Sequence, residues 1–120
     1  MFIRRLRDCE EFAAADDSTL RELLHPDKAD LQLRYSLAHA VVHPGQTTRL
    51  HALRTSEVYY IIEGEGVMHI DNESAAVGPG DAVYIPPRAR QRIHNPGPRD
   101  LVFICIVDPA WRKADEEVWP

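Results

Sequence analysis

The stretch that decides the fold reads GQTTRLHALRTSEVYYIIEG over Gly45–Gly64, EGVMHIDNESAAV over Glu65–Val77 and GPGDAVYIPPRARQRIHN over Gly78–Asn95. Its apolar residues fall into short runs: Glu57–Ile62, rich in β-branched and aromatic side chains, then Val67–Ile70, Ala82–Ile85 and Gln91–His94. Gly64 and Gly66, Asp71-Asn72, Gly78-Pro79-Gly80-Asp81, Pro86-Pro87 and Asn95-Pro96-Gly97-Pro98 punctuate them. Runs this short, bounded by residues suited to turns, predict strands rather than helices.

The pattern extends outward on both sides. Upstream, Leu33, Tyr35, Leu37, His39 and Val41 alternate with the period of a strand that has one buried face, and Pro44-Gly45 turns the chain. Downstream, Leu101–Val107 is an unbroken apolar run of seven residues and predicts a strand covered on both faces. Towards the N-terminus, Phe2–Leu6 reads as an edge strand, Asp8–Ala15 has helical propensity but little length, and Thr19–His25 fits strand or helix. The tail after Asp108-Pro109 carries Trp111, Trp119 and the acidic pair Glu116 and Glu117, and is expected to pack across its own barrel or a partner. Seven or more short strands, without repeat or linker, predict an all-β sandwich or barrel filling residues 1–120 as one domain.

With 120 residues, 44% hydrophobic and 28% charged, the chain has the balance of an ordinary globular domain and needs no metal or disulfide to hold its core. The longest apolar run is seven residues against the about 20 that a membrane helix needs. Asp8 and Glu10 arrive before any stretch long enough for a signal peptide, so a cytoplasmic location is expected. A net charge of −5 argues against a nucleic-acid partner. Arg88, Arg90 and Arg92 alternate and would share one strand face, either solvated, at an interface, or as an anion-binding strip. Cys9 and Cys105 lie far apart and are expected to be free thiols.

Two spacings carry more than strand propensity. Gly45 is followed by five residues and His51, Glu57 comes six positions later, and six residues separate Glu57 from Gly64. Gly80 is followed by five residues and Pro86, then by Gln91 and Asn95. This pair resembles the two signature motifs of the cupin superfamily. The first is Gly, five residues, His-x-His, three or four residues, Glu, six residues, Gly. The second is Gly, five residues, Pro-x-Gly, two residues, His, three residues, Asn. The fifteen residues between Gly64 and Gly80 match the short gap of compact microbial cupins, and the chain looks most like those described as mannose-6-phosphate-isomerase-like. The resemblance implies a double-stranded β-helix, the jelly-roll barrel, with motifs at 45–64 and 80–95 and short terminal extensions. It also implies a homodimer, since cupins commonly exchange N-terminal strands and Phe2–Leu6 would otherwise leave an exposed apolar edge.

In the family, three His and one Glu converge on one divalent metal inside the barrel. His51 and Glu57 stand at their expected positions, whereas Leu53 and Gln91 replace the other two His, and Arg88 replaces the Gly after Pro86-Pro87. His39, if its strand face lines the barrel, would join them, and Gln91 offers an amide oxygen. His39, His51, Glu57 and Gln91 would then form an N2O2 site for Mn, Fe, Ni or Zn. The competing reading makes His39 a hydrogen-bonded core residue and His51–Glu57 a buried pair, because a buried carboxylate needs a partner. Tyr59, in phase with Glu57, and Leu53 would line the substrate pocket. Cys105 is expected as a buried thiol, and His25, His43, His69 and His94 as surface or packing residues.

Three functions fit these residues. The leading expectation is a divalent-metal-dependent enzyme on a small polar metabolite, a sugar or carboxylic acid, of isomerase, lyase or dioxygenase type. There the metal polarises an oxygen and Glu57 or His39 moves a proton, with Glu57 and His51 the candidate catalytic residues. The alternatives are a metal-free enzyme using Glu57 and His51 in acid–base chemistry, and a non-catalytic sugar- or metabolite-binding module. No nucleophilic triad, phosphate loop or dinucleotide motif is present.

Overall fold

Eleven strands follow one another in the computed structural model, which describes residues 1–120: β1 (Glu11–Ala13), β2 (Thr19–Leu24), β3 (Ser36–Val42), β4 (His51–Leu53), β5 (Ser56–Glu63), β6 (Gly66–Ile70), β7 (Glu73–Val77), β8 (Ala82–Ile85), β9 (Gln91–His94), β10 (Leu101–Asp108) and β11 (Glu116–Val118). All pairings are antiparallel, and they form a six-stranded sheet in the order β1-β2-β3-β10-β5-β8 facing a five-stranded sheet in the order β11-β4-β9-β6-β7. This is the expected all-β jelly roll. Asp71-Asn72 closes the β6–β7 hairpin, and Gly78–Asp81 carries the chain from one sheet to the other. No helix is long and apolar enough to cross a membrane.

The core lies between the sheets. Val42, Ile61, Ile85, Ile93, Leu101 and Phe103 are at most 1% exposed, and each such side chain contributes about 1.5–3 kcal/mol through its burial. The Tyr59 and Phe103 rings pack with centroids 4.4 Å apart. Gly64 closes β5 against the start of β10 with φ +85°, and a Cβ there would stand 2.5 Å from the Asp100 carbonyl oxygen. Only glycine fits that approach. Arg88, at the position where the family motif has glycine, takes the same left-handed conformation with φ +68°.

Several expectations are corrected. β3 presents Ser36, Ala38, Ala40 and Val42 to the core, and Leu37, His39 and Val41 to the outside. Both sets are largely apolar, so alternation alone could not orient the strand. Side-chain volume does so: Phe103, Cys105 and Val107 of β10 project inward directly opposite Ala40, Ala38 and Ser36, leaving room only for small partners. β10 itself is covered on one face, since Val102, Ile104 and Ile106 remain half-buried on the outer side. Phe2–Leu6 forms no strand; the sheet edge beside β2 is taken by β1, and Arg4, Arg5 and Arg7 keep the segment in water, with Arg4 over the Phe2 ring. Pairing with β2 overrides helical propensity at Glu11–Ala13. Of the three alternating arginines only Arg92 lies in β9; Arg88 sits in the turn and Arg90 covers Trp119, so the three do not share one strand face. Cys9 and Cys105 are free thiols.

Candidate active site

The barrel interior opens as a cavity of about 560 Å³. Its floor is Tyr59, Phe103 and Cys105, its wall His51, Leu53 and Glu57, and its mouth the segment from Phe12 to Asp16 together with the tail from Trp111 to Glu116. His51 and Leu53 reach it from β4, two residues apart on one strand face, and Glu57 from β5 in the other sheet.

His51 is fixed by its Nδ1, 2.8 Å from the Arg49 carbonyl oxygen. A carbonyl only accepts, so Nδ1 carries the proton and Nε2 is left facing the Asp16 carboxylate at 3.6 Å. Asp16 is held in turn by the Ser18 amide (3.0 Å) and hydroxyl (2.6 Å), both donating to Oδ1. The loop that carries it is stapled to the β3–β4 connection: the Arg49 amide donates to the Asp16 carbonyl, Arg49 Nε to Asp17, and Gln46 Nε2 to the Asp17 carbonyl.

Glu57 accepts a hydrogen bond from Gln91 Nε2 at 2.9 Å, a bond that crosses from one sheet to the other. Burial dominates its acidity and pushes the carboxyl up to about 8; the Gln91 hydrogen bond opposes this, and the Asp16 and Glu116 carboxyls add to it. At pH 7 the protonated form therefore leads by about ten to one. Burial also raises Glu116, with His51 opposing and Asp16 adding, and raises the Tyr59 hydroxyl and the Cys105 thiol, which stay neutral.

Of the residues singled out in the sequence, His51, Leu53, Glu57 and Tyr59 meet in this cavity. Gln91 is fully buried behind Glu57 rather than on the cavity wall. His39 does not reach the site: it lies on the outer face of the six-stranded sheet beside Ile104 and Arg21, where burial and the Arg21 charge lower its pKa. Asp16 and Glu116 escaped the sequence reading, because neither belongs to a motif or a periodic run. The acidic pair after Trp111 was the one available signal. His25 is a packing residue that ties the tail down, with Nε2 2.8 Å from the Trp111 carbonyl oxygen and Nδ1 accepting from the Asp27 amide.

The donor set does not fit the metal that the motifs imply. Leu53, 3% exposed, occupies one ligand position with a group that coordinates nothing. Gln91 turns its NH2 towards Glu57, leaving Oε1 as a lone neutral oxygen. No three His, Cys, Asp or Glu side chains come together in a geometry that could hold an ion.

Comparison with known proteins agrees with the fold. The family model of the cupin domain matches residues 38–107, and the chain belongs to that family. It is 42% identical over 108 residues to an uncharacterised protein of Methanocaldococcus jannaschii, covering 89% of this chain and 86% of that one. It is 32% identical over 88 residues to an oxalate-binding protein of Thermotoga maritima, covering 72% and 68%. The crystal structure of Pac13, a nucleoside dehydratase of Streptomyces, superposes with a TM-score of 0.79 at 19% identity, covering 99% of this chain and 91% of that one.

Proposed function

We propose that the chain is a metal-independent cupin that binds a small molecule in its barrel and acts on it by acid–base chemistry. Glu57 is the general acid and His51 Nε2 the base, with Asp16 as the group that stabilises His51 once it is protonated. The observation that carries this reading is the buried Glu57 carboxyl, raised to about 8, lining the same cavity as a histidine whose Nδ1 is fixed by the Arg49 carbonyl. A carboxyl near 8 can give up a proton at neutral pH, and an imidazole with a free Nε2 can take one.

Two redox-neutral reactions suit that pair. In an enolisation, Nε2 takes the proton from a carbon next to a carbonyl; the C–H electron pair becomes the new C=C bond while the carbonyl oxygen takes the Glu57 proton. In an elimination, the same C–H pair forms the double bond and the C–O bond breaks, the oxygen leaving as water with the Glu57 proton. Asp16, 3.6 Å from Nε2, faces the imidazolium that either step creates.

Infrared difference spectra of wild type and Glu57→Gln, with elemental analysis of untagged protein, test the reading. A protonated carboxylic-acid band at pH 7 that the substitution removes is the expected result. A carboxylate at Glu57 at pH 7, or a stoichiometric transition metal, would overturn it.

A further inference from the structure

The charges around the cavity are unevenly placed. Asp16, Glu57 and Glu116 contribute three carboxyls to its wall and mouth; His51 faces Asp16, and both ring nitrogens of His25 are tied to backbone groups of Trp111 and Asp27. Of the cations at the rim, Lys28 is paired with Glu22 at 2.6 Å, and Arg112 with Asp27. Lys113 is left, exposed at the outer edge. An anion entering the barrel would leave its water and meet the Asp16 carboxylate, while the cations that could receive it are paired or stand at the outer edge. Such a desolvated, unpaired charge disfavours binding.

The apolar surfaces point to what does fit. Phe12, Tyr59, Phe103 and Trp111 supply aromatic faces from the mouth to the floor, and Leu20, Ala38 and Val107 fill in between. On the acid–base reading, Glu57 on the cavity wall supplies the O–H donor for one acceptor oxygen on the ligand. A cavity of about 560 Å³ holds a molecule of two or three rings rather than a two-carbon acid.

Resting on the acid–base reading of this pocket, we propose that it selects an uncharged, ring-bearing molecule with an acceptor oxygen, a keto- or hydroxy-aromatic, and rejects small carboxylates. A matched pair of probes isolates the charge: 2-acetylnaphthalene and 2-naphthoate are nearly equal in size and differ by one negative charge. Titration calorimetry at pH 7, with oxalate as a third probe, is expected to give 2-acetylnaphthalene at least a tenfold advantage over both anions. In Glu116→Gln the gap between the two naphthalenes should narrow by a factor of about three or more. Equal or tighter binding of 2-naphthoate or oxalate overturns the proposal, as does binding of none of the three, or a gap that Glu116→Gln leaves unchanged. The two readings fail separately. Preference for 2-naphthoate with the Glu57 acid band intact sinks the ligand class alone, whereas a missing band with the neutral probe still preferred sinks the acid–base reading alone.

Discussion

Glu57→Gln is expected to stabilise the protein at neutral pH, by an amount set by pH itself. The Glu57 carboxyl lies near 8 in the fold against an ordinary 4.5. Below 4.5 both the folded and unfolded chains hold the proton, and the group contributes nothing to pH dependence. Between 4.5 and 8 the unfolded chain releases the proton while the folded chain keeps it, so stability falls as pH rises, by about 1.4 kcal/mol per pH unit. The loss reaches about 3 kcal/mol at pH 7 and levels off at about 5 kcal/mol above pH 8. Glutamine has nearly the same shape, still accepts from Gln91 Nε2, and never ionises. Its NH2, left without a partner, costs about 1 kcal/mol at every pH. The variant should thus be the weaker protein at pH 4.5, cross wild type at about pH 5 to 6, and lead by about 3–4 kcal/mol at pH 8. Urea unfolding of both proteins from pH 4.5 to 8.5 reads this difference with the other titrating groups cancelled. Parallel stability curves, or a variant that loses ground as pH rises, would refute a neutral Glu57 in the folded barrel.

Arg88→Gly should raise stability by about 1 kcal/mol, or about 3–5 °C in melting temperature, by relieving the positive φ of +68°; a lower melting point would show that the arginine side chain outweighs the strain. The double change Leu53→His and Gln91→His restores the family's ligand residues beside His51 and Glu57, and should tighten Zn or Ni binding by more than tenfold while the lost Leu53 burial costs the metal-free protein about 1–3 kcal/mol; calorimetric affinity no better than wild type would mean that these positions do not converge. A homodimer is expected through the outer face of the six-stranded sheet, where Ile104 sits between His39 and Tyr60 with Leu37, Val41, Val58, Ile62 and Ile106 around it. Four strands about 4.8 Å apart, each carrying three outward side chains, offer about 400 Å², short of the about 800 Å² per partner of a stable interface, and the exposed Phe2 and Ile3 of the second copy would supply the rest. Light scattering should find a dimer that Ile104→Lys splits, and a wild-type monomer at high micromolar concentration would refute it.

The barrel was legible because its signals are local. Gly64 is demanded by a positive φ and a backbone contact, Asp71-Asn72 by a two-residue turn, and His51, Leu53, Glu57 and Tyr59 by strand parity read from fixed motif positions. What escaped depends on partners distant in sequence. The orientation of β3 follows from the volume of Phe103 across the sheet, so strand parity alone places His39 on the wrong side. Asp16 and Glu116 enter the site because a stapled loop and a C-terminal strand fold over the mouth, and neither event has a periodic signature. The placement of Gln91 behind Glu57 was equally hidden, although its residue type, an amide in place of a ligand, already weakened the metal site.

His51 and Glu57 stand on opposite sheets, joined by a corner of only two residues, Arg54 and Thr55. A molecule gripping both acts as a tie-bar across the sandwich, resisting the small separations by which two stacked sheets breathe. Occupancy by the proposed ligand would then be a mechanical property of the whole barrel, and is expected to slow amide hydrogen exchange in strands that do not line the cavity, such as β6 and β7 at the far end of the five-stranded sheet.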